Sequence, residues 1–231
     1  MKLHSTYLPA IESSTNAQDM VLLHGWGIGS SVWQGWLPLL RQHFNLYLID
    51  LPGYGESLDV DDYVEQKILA ALDDVAPSKA IYLGYSLGGM LATKMAASHP
   101  EKVIALITLG ANAKFIADDT WPAAMPADVF QSFSALVSGG PLKSLGRFAG
   151  LQAQGAVERK SLLKIVSSLA GQVSERALVQ SLELLSVLNT VKDIASLTVP
   201  SLFLFGENDK LVPVETANVI KVGSVETGIV E

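Results

Sequence analysis

Five apolar runs of strand length, alternating with stretches of helical character, constrain the fold of this chain more than any other feature. The runs are MVLLHG (20–25), FNLYLID (44–50), AIYLGY (80–85), VIALITLG (103–110) and PSLFLFG (200–206). Several are continuous, as expected of strands that a parallel sheet buries on both faces. The helix-like stretches are 61–75, 87–98 and 214–221, and GSVETGIVE (223–231) is a further strand candidate. The alternation predicts an α/β fold with a mostly parallel, doubly wound sheet.

One interval breaks this rhythm. About ninety residues separate the run that ends at Gly110 from the run that begins at Pro200, far more than a crossover helix requires. Most of 127–188 has helical character, so we predict a helical cap inserted between late strands. The expected division is a core of residues 1–111 and 196–231 and a cap of residues 112–195.

Composition excludes several classes of function. The net charge of −7 argues against nucleic acid as a general partner, and the absence of cysteine rules out disulfides and thiolate chemistry. No apolar run approaches the ~18 residues of a membrane span, and MKLHSTYLPAIESS does not resemble a signal peptide. We therefore expect a cytoplasmic monomer with one sizeable core.

The stretch Gly84-Tyr85-Ser86-Leu87-Gly88 matches the nucleophile-elbow pattern G-x-S-x-G. An apolar strand precedes it and a helix follows it, which is the context that the pattern requires. Side chains two residues before and after the serine would collide in so tight a turn, so glycine is needed there. An ordinary serine helix cap needs no flanking glycines. Ser86 is therefore the predicted catalytic nucleophile.

The segment His24-Gly25-Trp26-Gly27 ends an earlier strand. Backbone N–H groups of Trp26 and Leu87 would together form an oxyanion hole for a tetrahedral intermediate. Taken alone, the segment is better explained as a glycine turn with Trp26 as a core aromatic. Beside the elbow, the oxyanion interpretation is favoured.

Two acidic residues follow strands and have different predicted roles. Asp50 begins DLPGYGES, whose turn residues indicate a structural loop, and it receives no catalytic role. Asp209 follows a late strand, at the carboxyl end of the sheet where such sites lie. Asp209 is therefore the candidate acid that orients a histidine, with Glu207 as the neighbour that could be confused with it.

Together these motifs resemble the α/β-hydrolase superfamily over essentially the whole chain. Within it, the chain looks closest to the pimeloyl-[acyl-carrier protein] methyl ester esterases, the carboxylesterases of biotin biosynthesis. The segments that carry this resemblance are LLHGWG (22–27), LIDLPGYGES (48–57), GYSLGGMLA (84–92), HPEKV (99–103), Trp121-Pro122, RFAGLQ (147–152) and 206–213. The resemblance implies a serine esterase without metal or cofactor that acts on an ester carried by acyl carrier protein.

The resemblance also assigns site residues. It places the nucleophile on Ser86 and the acid on Asp209. It places substrate contacts on Trp26, Ser86, Leu87, Phe148, Ala149, Gly150, Leu151 and Gln152. It places carrier-protein docking on Lys143, Arg147, Lys160 and Lys164. Charge agrees independently, because residues 143–164 contain five basic side chains and one acidic side chain. Such a patch favours an acidic partner, although a solvated helix face has the same composition.

The histidine of the triad has no candidate. In this fold the order is serine, acid, histidine, but His4, His24, His43 and His99 all precede Asp209. We therefore expect the sequence to be an incomplete segment of an esterase, weakly active or inactive as it stands. The alternatives are a broad-specificity small-ester hydrolase, or a hydrolase-fold binding protein that has lost catalysis.

Overall fold

The protein is described by a computed structural model that covers residues 1–11, 17–152, 160, 173–220 and 223–230, with the backbone alone at 151 and 152. Seven strands form one sheet in this part of the chain. They are β1 (His4–Leu8), β2 (Gln18–Leu23), β3 (Phe44–Asp50), β4 (Ala80–Tyr85), β5 (Val103–Leu109), β6 (Ser201–Gly206) and β7 (Val225–Val230). Their spatial order is β1-β3-β2-β4-β5-β6-β7. Only β1 is antiparallel to its neighbour, so the predicted α/β fold with a mostly parallel sheet is confirmed.

Helices pack around this sheet and above one end of it. A short 3-10 helix covers Ser30–Trp33. The α-helices in the described part of the chain are α1 (Leu37–Leu40), α2 (Glu65–Val75), α3 (Leu87–Ser98), α4 (Ala127–Gly139), α5 (Pro141–Gln152), α6 (Glu175–Val187), α7 (Val191–Ser196) and α8 (Thr216–Val219). None of them is long and apolar enough to cross a membrane.

Three of the predicted elements have the bounds that the structure shows. The bounds of β3, β4 and α3 are those that the sequence predicts. The strand β1 was not expected. It is a short edge strand with one neighbour, and none of its five residues is fully buried. The end of the chain does contain a strand, β7, parallel to β6.

The parallel strands bring several loops to one edge of the sheet. The loops after β2, β3, β4, β5 and β6 all begin at carboxyl ends, and these ends lie on the same side. The chain between β5 and β6 supplies α4, α5 and α6, which pack on one another and form the helical cap. The cap boundaries at 112 and 195 remain a prediction.

Candidate active site

Ser86 lies in the turn between β4 and α3, where the strand changes directly into a helix. Its backbone has φ +51° and ψ −117°, and among the described residues it is the only non-glycine residue with positive φ. Its N–H donates to Leu109 O at 2.9 Å, which fixes the turn to β5. A left-handed conformation of this kind costs on the order of 1–3 kcal/mol and persists only where surrounding contacts impose it. The result is a half-buried hydroxyl at the N-terminus of α3.

Two glycines make this turn possible because backbone atoms fill the space of their absent side chains. A Cβ on Gly84 would lie 2.5 Å from Gly88 O and from Gly89 Cα. A Cβ on Gly88 would overlap Leu23 O and lie 2.5 Å from His24 O. The first turn of α3 thus packs against the end of β2. The collision that the sequence pattern predicts is present on both sides of Ser86.

The predicted oxyanion loop, residues 24–27, lies directly beside Ser86. A Cβ on Gly25 would lie 3.2 Å from Ser86 Cβ, so the peptide between Gly25 and Trp26 borders the serine. Leu87 is the first residue of α3, and the leading N–H groups of a helix have no acceptor within it. The helix dipole also favours negative charge at this end. The two proposed donors therefore flank the serine from β2 and from α3.

The Trp26 side chain has a role that the sequence did not predict. Its indole is 1% exposed and is in contact with all three long cap helices. It packs edge-to-face on Phe133 of α4 and Phe148 of α5, at centroid distances of 5.4 and 4.8 Å. Its Nε1–H donates to Leu178 O of α6 at 2.8 Å. The Trp26 side chain therefore connects the predicted oxyanion loop to the cap by ring packing and one hydrogen bond.

A second connection between this loop and the cap passes through Tyr54. The Gly27 N–H donates to the Tyr54 hydroxyl at 3.1 Å, and that hydroxyl is 2.8 Å from Ser181 Oγ on α6. Ser181 donates its own proton to Ala177 O at 2.5 Å, so Tyr54 must be the donor to Ser181. Burial raises the pKa of Tyr54 to about 12, and the phenol is protonated at neutral pH.

Asp209 follows β6 and is held by its own loop. Its Oδ1 accepts the N–H groups of Leu211 and Val212 at 2.8 and 3.0 Å. Its Oδ2 lies close to Gly110 at the end of β5, 3.4 Å from where a Cβ on Gly110 would stand. Burial raises the pKa of Asp209, and the two backbone donors oppose that rise. Glu207, by contrast, is exposed.

Asp50 is a buried structural carboxylate. Its side chain accepts the Ser30 hydroxyl and the Glu56 N–H at 3.2 Å, while its backbone oxygen accepts the Ser57 hydroxyl at 2.7 Å. It therefore ties the loop after β2 to the loop after β3. These contacts are structural, and the absence of a catalytic role for Asp50 stays a prediction.

None of the four histidines is placed to accept the Ser86 proton, and all four lie in described segments. His99 follows the far end of α3, thirteen residues from Ser86 or ~20 Å of helix. His43 precedes β3 at the opposite end of the sheet. His4 lies on edge strand β1, three strand spacings or ~14 Å from β4. Both ring nitrogens of His24 have backbone partners, Gly25 O and Leu51 N.

The residues that the resemblance assigns to substrate and carrier protein lie mostly on α5. Phe148 and Ala149 are buried and Gly150 is half-buried. The side chains of Leu151 and Gln152 lie outside the described residues, as does Lys164. Lys160 is exposed. Lys143 and Arg147 are exposed one turn apart and line a surface hollow of about 260 Å³ with Leu136.

Comparison with known proteins identifies the family. The model of a family described as alpha/beta hydrolase fold matches residues 20–222. Pimeloyl-[acyl-carrier protein] methyl ester esterases of Vibrio cholerae and Pectobacterium carotovorum are 34% and 38% identical over 88% and 87% of this chain. The chain covers 81% and 80% of their lengths. The biotin biosynthesis bifunctional protein BioHC of Cellvibrio japonicus is 37% identical over 87% of the chain, which spans 40% of that longer protein.

Solved structures agree at the level of the fold. An esterase from Exiguobacterium antarcticum has a TM-score of 0.86 at 21% identity. The superposition covers 99% of this chain and 87% of the esterase chain. An enol-lactonase from Burkholderia xenovorans has a TM-score of 0.82 at 16% identity, with 99% and 88% covered. Such low identities carry no information on substrate.

Proposed function

This chain belongs to the alpha/beta hydrolase family, and we propose that it is a serine carboxylesterase for the methyl ester of a pimeloyl-type chain on acyl carrier protein. The observation that carries the hydrolase part is the strained, half-buried Ser86 at the head of α3, bordered by the loop after β2. The substrate part is supported by relatives of that name at 34–38% identity. A cytoplasmic location, as predicted from the sequence, belongs to the same proposal.

In the proposed reaction, Ser86 Oγ attacks the ester carbonyl carbon while a base removes its proton. The negative charge that develops on the carbonyl oxygen is stabilised by the N–H groups of Trp26 and Leu87. The base then returns the proton to the departing methoxide, which leaves as methanol. Water attacks the acyl-serine by the same route and releases the carboxylic acid. No step requires a metal or an organic cofactor.

None of the four histidines can serve as the base that this reaction needs. A serine hydroxyl needs an adjacent base to become an effective nucleophile. An imidazole that serves Ser86 would donate its other N–H to Asp209 Oδ2, since Oδ1 is occupied by Leu211 and Val212. We therefore expect residues 1–231 alone to retain only the ~10³–10⁴-fold acceleration that an oxyanion hole and binding provide.

The proposed docking surface for the carrier protein is the exposed face of α5. Lys143 and Arg147 lie one turn apart there and take part in none of the ion pairs formed by the described residues. Leu136 and Leu142 add exposed apolar surface at 42% and 51%. Exposed cations beside apolar side chains suit an acidic protein that carries an acyl chain. Lys160 and Lys164 belong to the same proposal.

Imidazole rescue tests the hydrolase proposal. Hydrolysis of a methyl pimeloyl-carrier conjugate and of p-nitrophenyl butyrate is measured with and without added imidazole, for the parent and for Ser86→Ala. Imidazole alone hydrolyses p-nitrophenyl esters, so the enzyme-free rate is subtracted at each imidazole concentration. We then expect weak hydrolysis that imidazole increases in the parent only. Fast hydrolysis without imidazole would contradict the missing base. Equal rates in Ser86→Ala would refute the nucleophile, and preference for the small ester would favour the broad-specificity alternative.

Charge reversal tests the carrier proposal separately. The pair Lys143→Glu and Arg147→Glu is expected to weaken carrier binding about tenfold and to reduce its salt dependence. Lys79→Glu is the matched control for Lys143→Glu alone, since each reverses one charge, and Lys79 is exposed at the start of β4, at the opposite end of the sheet. Equal effects of both changes would show non-specific attraction.

The placement of the histidines also favours a second candidate function, a hydrolase-fold protein that binds the carrier protein without turnover. Carrier binding that depends on Lys143 and Arg147, combined with no hydrolysis even in imidazole, would support it against the esterase.

A further inference from the structure

We propose that His24 is a positioning residue that fixes the direction of the oxyanion donor. It does so by a hydrogen bond to the Gly25 carbonyl, which belongs to the same peptide as the Trp26 N–H and points in the opposite direction. The inference rests on the proposed function, in which the Trp26 N–H receives the oxyanion. It gives a task to a buried, polar residue that the reaction does not use as a base.

The hydrogen bonds of His24 define one tautomer. Nδ1 lies 2.9 Å from Gly25 O, and a carbonyl oxygen can only accept, so Nδ1 carries the proton. Nε2 lies 3.0 Å from the Leu51 nitrogen, whose N–H can only donate, so Nε2 is unprotonated. The ring is fully buried and therefore bridges the loop after β2 and the loop after β3 without access to solvent.

The bond to Gly25 O acts on the donor through the peptide itself. The Gly25 carbonyl and the Trp26 N–H belong to one peptide, which is trans, so the two groups point in opposite directions. Holding the carbonyl toward His24 therefore turns the N–H away from it. A hydrogen bond to a carbonyl also polarises its peptide and strengthens the N–H as a donor. A Cβ on Gly25 would lie 3.2 Å from Ser86 Cβ, so this peptide is at the nucleophile.

The surroundings keep the ring neutral and fixed. Burial lowers the pKa of His24, and this outweighs the backbone carbonyls of Gly25 and Ile28 and the charge of Asp50, all of which raise it. The Tyr54 ring packs against the imidazole at a centroid distance of 4.7 Å. Protonation would place an N–H at Nε2 against the N–H of Leu51, so the neutral form is the one that fits.

Two substitutions separate positioning from packing. In His24→Asn, the side-chain amide nitrogen takes the place of Nδ1 and still donates to Gly25 O, while the Leu51 N–H loses its acceptor. In His24→Gln, the amide oxygen reaches the place of Nε2 and accepts from Leu51, while Gly25 O loses its donor. Each variant removes one buried hydrogen bond, so similar losses of stability are expected. Only the second variant releases the oxyanion peptide.

Steady-state kinetics in the presence of imidazole provide the first measurement. We expect His24→Asn to keep kcat within about threefold of the parent. We expect His24→Gln to lower kcat roughly tenfold with KM nearly unchanged, because the lost interaction acts on the transition state. Equal losses of kcat in the two variants, or a larger loss in His24→Asn, would overturn the inference.

A second measurement needs no turnover and so separates failure of this inference from failure of the proposed function. Labelling with ¹³C-carbonyl glycine and ¹⁵N-tryptophan yields two Gly–Trp amide correlations, Gly25–Trp26 and Gly35–Trp36. Gly35→Ala identifies the second, which serves as an internal reference. We expect His24→Gln to shift only the Gly25–Trp26 signal, and His24→Asn to leave it near its original position. An unshifted signal in His24→Gln would refute the inference even if the esterase is active.

Discussion

The hydrogen bonds through Tyr54 allow a quantitative test of how the cap is fastened to the oxyanion loop. Tyr54→Phe removes one hydroxyl and leaves the buried Gly27 N–H without its acceptor. An unsatisfied buried donor costs about 1–3 kcal/mol. Ser181→Ala leaves the Tyr54 hydroxyl without its acceptor, at a similar expected cost of about 1–3 kcal/mol. The Ala177 carbonyl that Ser181 contacts lies within α6 and keeps its helical hydrogen bond.

The double variant decides whether these groups act as one chain. With both hydroxyls gone, the Gly27 N–H is the one group of this hydrogen-bond chain that is left unsatisfied. The loss of stability should therefore fall short of the sum of the single losses by about 1 kcal/mol or more. Urea denaturation with a shared m-value measures all three variants. Ser132→Ala is the matched control, because its hydroxyl makes the same bond to the carbonyl four residues earlier but is exposed. It should cost less than about 0.5 kcal/mol.

Additive losses would contradict the hydrogen-bond chain, and a Tyr54→Phe loss within about 0.5 kcal/mol would show that the hydroxyl contributes nothing. A loss in Ser132→Ala equal to that in Ser181→Ala would show that the helix bond alone accounts for the serine effect.

Two further changes test the elbow and the acid. Gly88→Ala should destabilise the protein by roughly 3 kcal/mol, because its Cβ would collide with backbone oxygens of Leu23 and His24. Gly146→Ala in α5 is the control, because a Cβ there meets nothing within 4 Å. It should stabilise the protein by about 0.5–1 kcal/mol. Equal effects of the two changes in thermal unfolding would contradict the packing argument. Asp209→Asn should raise the melting temperature at neutral pH. Burial raises the folded-state pKa of Asp209, so its ionisation opposes folding once the pH exceeds the unfolded-state value. The advantage of asparagine should disappear as the pH falls below that value, and a constant difference across pH would contradict it.

Local sequence patterns predicted the centre of the sheet well. Strand β4, the turn at Ser86 and helix α3 follow from one apolar run and two obligatory glycines, so all of the necessary information lies within nineteen residues. Strand β1 escaped prediction because its stability comes from pairing with β3, some forty residues away along the chain. Edge strands with one neighbour carry a weak hydrophobic signal.

The contacts around the oxyanion loop show why the rest could not be predicted. The sequence pointed to the amide of Trp26 through its motif, but its indole bonds to Leu178, 152 residues later in the chain. Tyr54 and Ser181 are separated by 127 residues, and neither belongs to a catalytic motif. A glycine-rich turn such as PGYG marks a loop, yet nothing in it identifies which partner the tyrosine will find.

Covalent labelling of Ser86 tests the central claim most directly. The parent and Ser86→Ala are treated with a fluorophosphonate in the presence and absence of imidazole, digested with trypsin and examined by mass spectrometry. The peptide from Ala80 to Lys94 contains Ser86 and no other serine. We predict a phosphonyl adduct on this peptide that forms faster with imidazole and is absent from Ser86→Ala. No adduct on this peptide under either condition, or an equal adduct in Ser86→Ala, would contradict the assignment of Ser86 as the nucleophile.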